Sequence, residues 1–211
     1  MSQNLRYQPM LQASLYHSLD MLWPAQGAAR TLRTAILIAG AIALLVLSAK
    51  IKVPFYPVPM TLQTLSIGLI AAGLGPRLAV GAVLGYLLLG LAGIPVFTNT
   101  PPSPAGLIYF TGPTGGYLAG FVLSAFVVGG LCQRGWDRSF GKLWLAMLLG
   151  DVAIIGLGVM WLAFGYPSLG LTRALELGLY PFVLGALLKE VLGASLIRAA
   201  SSALRSQVQG L

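Results

Sequence analysis

PVFTNTPPSPAGLIYFTGPTGGY, residues 95–117, carries no charged side chain and lies between two long apolar blocks. Pro101, Pro102, Pro104 and Pro113 remove backbone donors and fix φ. Gly112, Gly115 and Gly116 admit backbone shapes closed to other residues. The stretch therefore reads as irregular chain rather than regular helix. Irregular backbone beside a bilayer needs protein or water to satisfy its polar groups. The expectation is a loop folded back over a helix bundle as a lid or pocket wall, in preference to a solvated connector, which at a membrane surface would usually carry charge.

Working outward, the 211 residues are 57% hydrophobic and 9% charged, with apolar residues in blocks rather than in strict alternation. This composition defines an all-α integral membrane protein and excludes an outer-membrane barrel pattern. Six spans are expected: 34–49, 61–74, 78–94, 114–132, 143–164 and 181–200. Leu11, Leu15, Leu19 and Leu22 fall at helical spacing and suggest an interfacial helix before the first span, with a disordered tail as the alternative. The domain reading is an N-terminal segment 1–33, a six-helix membrane domain 34–200 and a tail 201–211. The prolines of VPFYPVPM, residues 53–60, stop the first helix, and Pro76 and Arg77 mark the turn between the second and third.

Six spans put both termini on one side. That side would hold Arg6, Arg30, Arg33, Arg77, Arg134, Arg138, Lys142, Arg198 and Arg205, against Lys50, Lys52 and Arg173 opposite. The bias predicts cytoplasmic termini, a cytoplasmic (inner) membrane location and a 95–117 loop outside. The same distribution explains the net charge of +8 without nucleic acid, for which no basic aromatic patch exists. The single Cys132 and single His17 support neither a disulfide nor a metal site. GPTGG lacks the Gly-Lys-Ser/Thr ending of a phosphate loop, and no nucleophile–base set is visible, so no cofactor and no catalytic group are expected.

Two charges fall inside spans, where ionisable groups are costly and usually paired or functional. Lys189 lies about 12 Å from the Pro181 end of its helix and Asp151 about 13 Å from the Lys142 end of its own. In a core of about 30 Å these depths are close enough for a cross-helix pair. Glu190, turned about 100° from Lys189, is the weaker candidate partner. Gly185, Ala186 and Gly193 leave little bulk beside Lys189, where an anionic group could fit. Gln63, Tyr86, Asn99, Thr114 and Tyr117 could bind a neutral polar head. Ala35, Ala39 and Ala43 form a small-residue stripe, open to a partner helix or to packing within the chain.

VPMTLQTL, GYLLLGLAGIPVF, GPTGGYLAGF and PFVLGALLK, in this order, resemble motifs of the BioY family, the biotin-binding S components of energy-coupling factor transporters. The resemblance covers most of residues 34–200. It implies a non-enzymatic, six-helix subunit that captures biotin beneath the loop between helices 3 and 4. ATP hydrolysis would belong to two ATP-binding cassette partners, joined through a transmembrane coupling subunit. By motif position it directs attention to Asn99, the GPTGGY segment and Lys189. Joined with the residue readings above, the expected binding set is Gln63, Tyr86, Phe97, Asn99, Thr114, Gly115, Tyr117, Asp151 and Lys189, and the resemblance implies that Ala35, Ala39 and Ala43 face the coupling subunit. One departure stands out: the family's usual Asp three residues before the lysine is Ala186 here. Asp151 could replace it, or the scaffold could hold a different vitamin. An intramembrane enzyme using Asp151 and Lys189 as acid and base is the rival from another class.

Overall fold

The structure, a computed structural model, describes residues 23, 25–165 and 169–209, with side chains as far as 203. The expected interfacial helix before Trp23, including His17, lies outside the described residues. Helix α1 spans Gly27–Lys50 and begins seven residues before the uninterrupted apolar run, so its first two turns carry Arg30 and Arg33. The chain then makes a two-stranded hairpin, β1 Lys52–Val53 and β2 Met60–Thr61, with Lys52 opposite Thr61 and Val53 opposite Met60. The prolines between them do stop the helix, but the short pairing they enclose has too few residues for an alternation signal.

Helical residues continue from Gln63 to Leu91 as α2, broken at Gly75, whose φ of 74° and ψ of 172° are not helical. Pro76 follows, and its ring and missing N–H prevent the first arm from continuing. A straight helix would hold Gln63 and Tyr86 about 35 Å apart. Instead Gln63 Nε2 donates to the Tyr86 hydroxyl at 2.8 Å. The two arms therefore fold back as a helical hairpin, the second and third crossings, turning where Pro76 and Arg77 foretold.

The loop from residue 92 to 114 contains one helical turn, α3 Leu107–Phe110, which the proline count did not anticipate. Helices α4 Gly115–Gln133 and α5 Phe140–Met160 follow, joined by a 3-10 turn, Trp136–Arg138. Trp161–Gly165 continues α5 as a π turn. The connector expected from Tyr166 to Gly178 contains a further helix, α6 Gly170–Gly178. Finally α7, Tyr180–Gln209, opens beside Pro181 as expected and runs nine residues past Ala200.

Among the described residues, four elements are long and apolar enough to cross a membrane: α1, α2, α4 and α5 with its π extension. With α2 folded in two and the 30-residue α7 long enough to span, the described residues provide six crossings. Close packing comes from glycine. A Cβ on Gly120 would sit 2.6 Å from Ile154 Cα of α5, and one on Gly129 2.6 Å from Pro76 N. Gly116 is likewise pressed against Trp161 and the Leu157 carbonyl. These contacts place α4 at the centre, between α2 and α5. At one end Arg198 donates to the Arg138 carbonyl at 2.7 Å; the hairpin and the 95–117 loop occupy the other.

Candidate functional site

Beneath the loop, a cleft with about 600 Å³ of empty space, part of it open to solvent, penetrates between α2, α4, α5 and α7. Its upper wall is the loop itself. Phe97 is 1% exposed and packs edge-on to Tyr86, at 5.4 Å between ring centroids, and stacked on Tyr109, at 4.4 Å. Tyr109 donates to the Thr98 carbonyl at 2.9 Å, and burial pushes its phenol up to about 12, keeping the donor proton in place. Val58, Pro59, Met60 and Thr61 from the hairpin form another side, and Leu118, Phe121, Ile154, Ile155 and Phe182 supply the apolar depth.

The polar groups divide by whether their hydrogen bonds are already committed. Gln63 donates to Tyr86, accepts from the Thr61 hydroxyl at 3.3 Å, and its backbone N–H donates to that same oxygen at 3.2 Å. The Tyr117 hydroxyl donates to the Gly178 carbonyl at 2.8 Å, bracing α6 against α4. These bonds fix both side chains as parts of the wall. Lys189 donates to Thr64 Oγ1 at 2.6 Å and the Thr61 carbonyl at 3.3 Å. An ammonium has three hydrogens, so one remains. Asp151 is 3% exposed and its Oδ2 has no hydrogen-bond partner. Spare donor and spare acceptor thus line the same cavity.

The expected Asp151–Lys189 ion pair is not formed. Lys189 turns to Thr64 and Thr61, and Asp151 faces it only at longer range, with its carboxyl beside Thr64 and Glu190. Glu190, judged the weaker partner of Lys189, is 1% exposed, with neither carboxyl oxygen hydrogen-bonded. Its 100° offset carries it away from Lys189 but toward Asp151 on α5, a contact that single-helix geometry cannot foresee. The space expected around Lys189 is also partly filled: Met60 crosses Gly185, and Met147 with Leu65 covers Gly193. Ala186 alone of the three small residues opens on the cleft.

Of the residues expected in the site, Gln63, Tyr86, Phe97, Thr114, Tyr117, Asp151 and Lys189 line this cleft. Asn99 lies at its rim, held by Lys52 in a shallower groove that shares Pro59, Tyr109 and Thr114 with the cleft. Gly115 packs against the Phe110 carbonyl and the Trp161 ring rather than the cleft. Val58, Met60, Thr64, Tyr109 and Phe182 are additions; their apolar or hydroxyl side chains are common throughout the sequence and carry no spacing signal. Ala35, Ala39 and Ala43 are exposed on α1, with Gly40 between them facing no other heavy atom within 4 Å of a built Cβ.

Fold and site together define a polytopic helical membrane protein with a ligand cavity near one face, aromatic-walled and closed over by a loop. The BioY family profile matches residues 19–206. A protein named biotin transporter BioY2 from Lactococcus lactis subsp. cremoris is 36% identical over 170 residues, 78% of this chain and 90% of that one. A second, named biotin transporter BioY, from Thermotoga maritima, is 40% identical over 152 residues, 72% and 86% of the two chains. The crystal structure of the S-component for biotin from an ECF-type ABC transporter superposes with a TM-score of 0.73 at 26% identity, covering 84% of this chain and 95% of that one. The chain belongs to the BioY family.

Proposed function

We propose that this chain is a substrate-binding membrane subunit that captures biotin, not an enzyme, and that the 95–117 loop covers the bound ligand. The observation that carries the reading is that Lys189, with a donor to spare, and Asp151, with an unbonded oxygen, line one aromatic-walled cavity in a chain of this family. Biotin combines an apolar ring system with a polar ureido group and a carboxylate, and a cleft with few polar groups among apolar walls suits such a molecule. In this proposal Asp151 takes the place left by Ala186, while Asn99 and Lys52 stand at the mouth.

The exposed Ala35–Ala39–Ala43 face of α1 is the proposed contact for a transmembrane coupling subunit, through which two ATP-binding cassette ATPases would drive uptake. The charge bias supports cytoplasmic termini and a cytoplasmic-membrane location as part of this proposal. Equilibrium binding of radiolabelled biotin to the purified chain tests the proposal, with thiamine and riboflavin as competitors. Saturable binding that unlabelled biotin displaces is expected. Displacement by another vitamin instead would assign the cavity to that ligand, and no saturable binding of any of the three would refute a capture role.

A further inference from the structure

Lys50, the last residue of α1, is exposed overall, yet its ammonium is seated among loop carbonyls. Nζ donates to the carbonyls of Pro95 at 2.9 Å, Phe97 at 2.8 Å and Thr100 at 2.7 Å. All three hydrogens of the ammonium are thereby used within six residues of the loop. Around this clamp the Thr98 hydroxyl donates to the Ala49 carbonyl, and Lys52 donates to Asn99. Thr100 Oγ1 adds a bond to the Phe97 carbonyl at 2.6 Å. Between the clamped carbonyls the chain presents Phe97 and Thr98, both lining the ligand cleft. Asn99, inside the same turn, has φ of 62°, a left-handed conformation that asparagine adopts more readily than most residues with a side chain. A cation at the centre of converging carbonyls holds such a turn shut.

We propose that Lys50 is a positioning residue for ligand retention: its ammonium holds the 95–100 turn so that Phe97 and Thr98 stay closed over the cleft. It does not line the cleft and is not itself a ligand contact. The proposal rests on the reading of this cleft as the biotin site. Loss of the clamp frees the wall that must move for ligand to leave, so the effect falls on dissociation more than on association.

The test uses the purified full chain loaded with radiolabelled biotin and chased with unlabelled biotin. Lys50→Met and Lys50→Ala are expected to release biotin about ten- to a hundredfold faster than the native chain, the net worth of about one charge-assisted hydrogen bond. Association should change by less than about threefold. Methylammonium, which can occupy the vacated carbonyl nest, should slow release from Lys50→Ala and leave the native rate unaltered. A residue with a merely structural role would lower the melting temperature without that rescue. Native release from a folded neutral variant, or acceleration that methylammonium does not reverse, overturns the proposal. If neither neutral variant folds, Lys50→Arg decides: a planar guanidinium cannot direct three hydrogens from one point, so release must be faster than native, and a native rate overturns it. Native chain that binds no biotin would refute the assigned ligand, whereas binding with unchanged release in the variants refutes the clamp alone.

Discussion

Replacing Lys189 by methionine separates what the cavity's cation does for ligand from what it does for the fold. Two of its three hydrogens go to Thr64 Oγ1 and the Thr61 carbonyl, leaving one for a ligand acceptor. A hydrogen bond to a charged group contributes roughly 1.5–3 kcal/mol, so biotin affinity should fall by about ten- to a hundredfold. The same change strips the positive charge from beside Asp151 and Glu190, which are 3% and 1% exposed. Leaving these buried carboxyls without a nearby cation is unfavourable, so the ligand-free melting temperature should fall as well. The two effects are resolved by adding Asp151→Asn, which removes one carboxylate: stability should recover while affinity does not. Equilibrium binding and melting curves on the two variants supply the four numbers required. Native affinity in a folded Lys189→Met chain would remove the lysine from the site.

Three further outcomes follow from individual contacts. Gly120→Ala should lower stability by about 1–3 kcal/mol in a thermal melt, because its Cβ would meet Ile154 Cα at 2.6 Å, where backbone cannot yield. Asp151→Asn and Glu190→Gln should be non-additive by more than about 0.5 kcal/mol in a double-mutant cycle, since the two carboxyls face each other; additive changes would mean they do not interact. Ala39→Trp, on the exposed face of α1, should abolish energised biotin uptake in cells while leaving binding by the purified chain intact; loss of binding with uptake partners still assembled would assign that face to the chain's own packing.

Much of the fold could be read directly because membrane spans are written in long apolar blocks and their breaks in Pro and Gly. The turn at Pro76 and the start of α7 at Pro181 both follow from that grammar. What escaped were elements too short for a period to show, the Lys52–Thr61 hairpin and α3, and the helix α6 in a stretch read only as connector. In the site, rare polar residues were legible as residues but not as partners. Lys189 and Asp151 stand out among apolar neighbours, yet whether they pair depends on Thr64 of α2 and Glu190, whose positions follow from helix rotation and not from depth along the axis. Space was misjudged for the same reason. Gly185 and Gly193 suggest an opening on α7, but Met60 and Met147 reach in from other elements to fill it. Lys50 looked like a flanking charge because its three carbonyl partners are 45 to 50 residues away in sequence.

A structure of the chain determined with bound biotin tests the central claim most directly. The account predicts ligand density in the cleft between Lys189 and the Phe97–Tyr109 wall, with a polar ligand atom within hydrogen-bonding distance of Lys189 Nζ and the 95–100 turn closed above it. Biotin bound saturably but seated elsewhere, in the groove outside Asn99 or between α1 and α2, would contradict it.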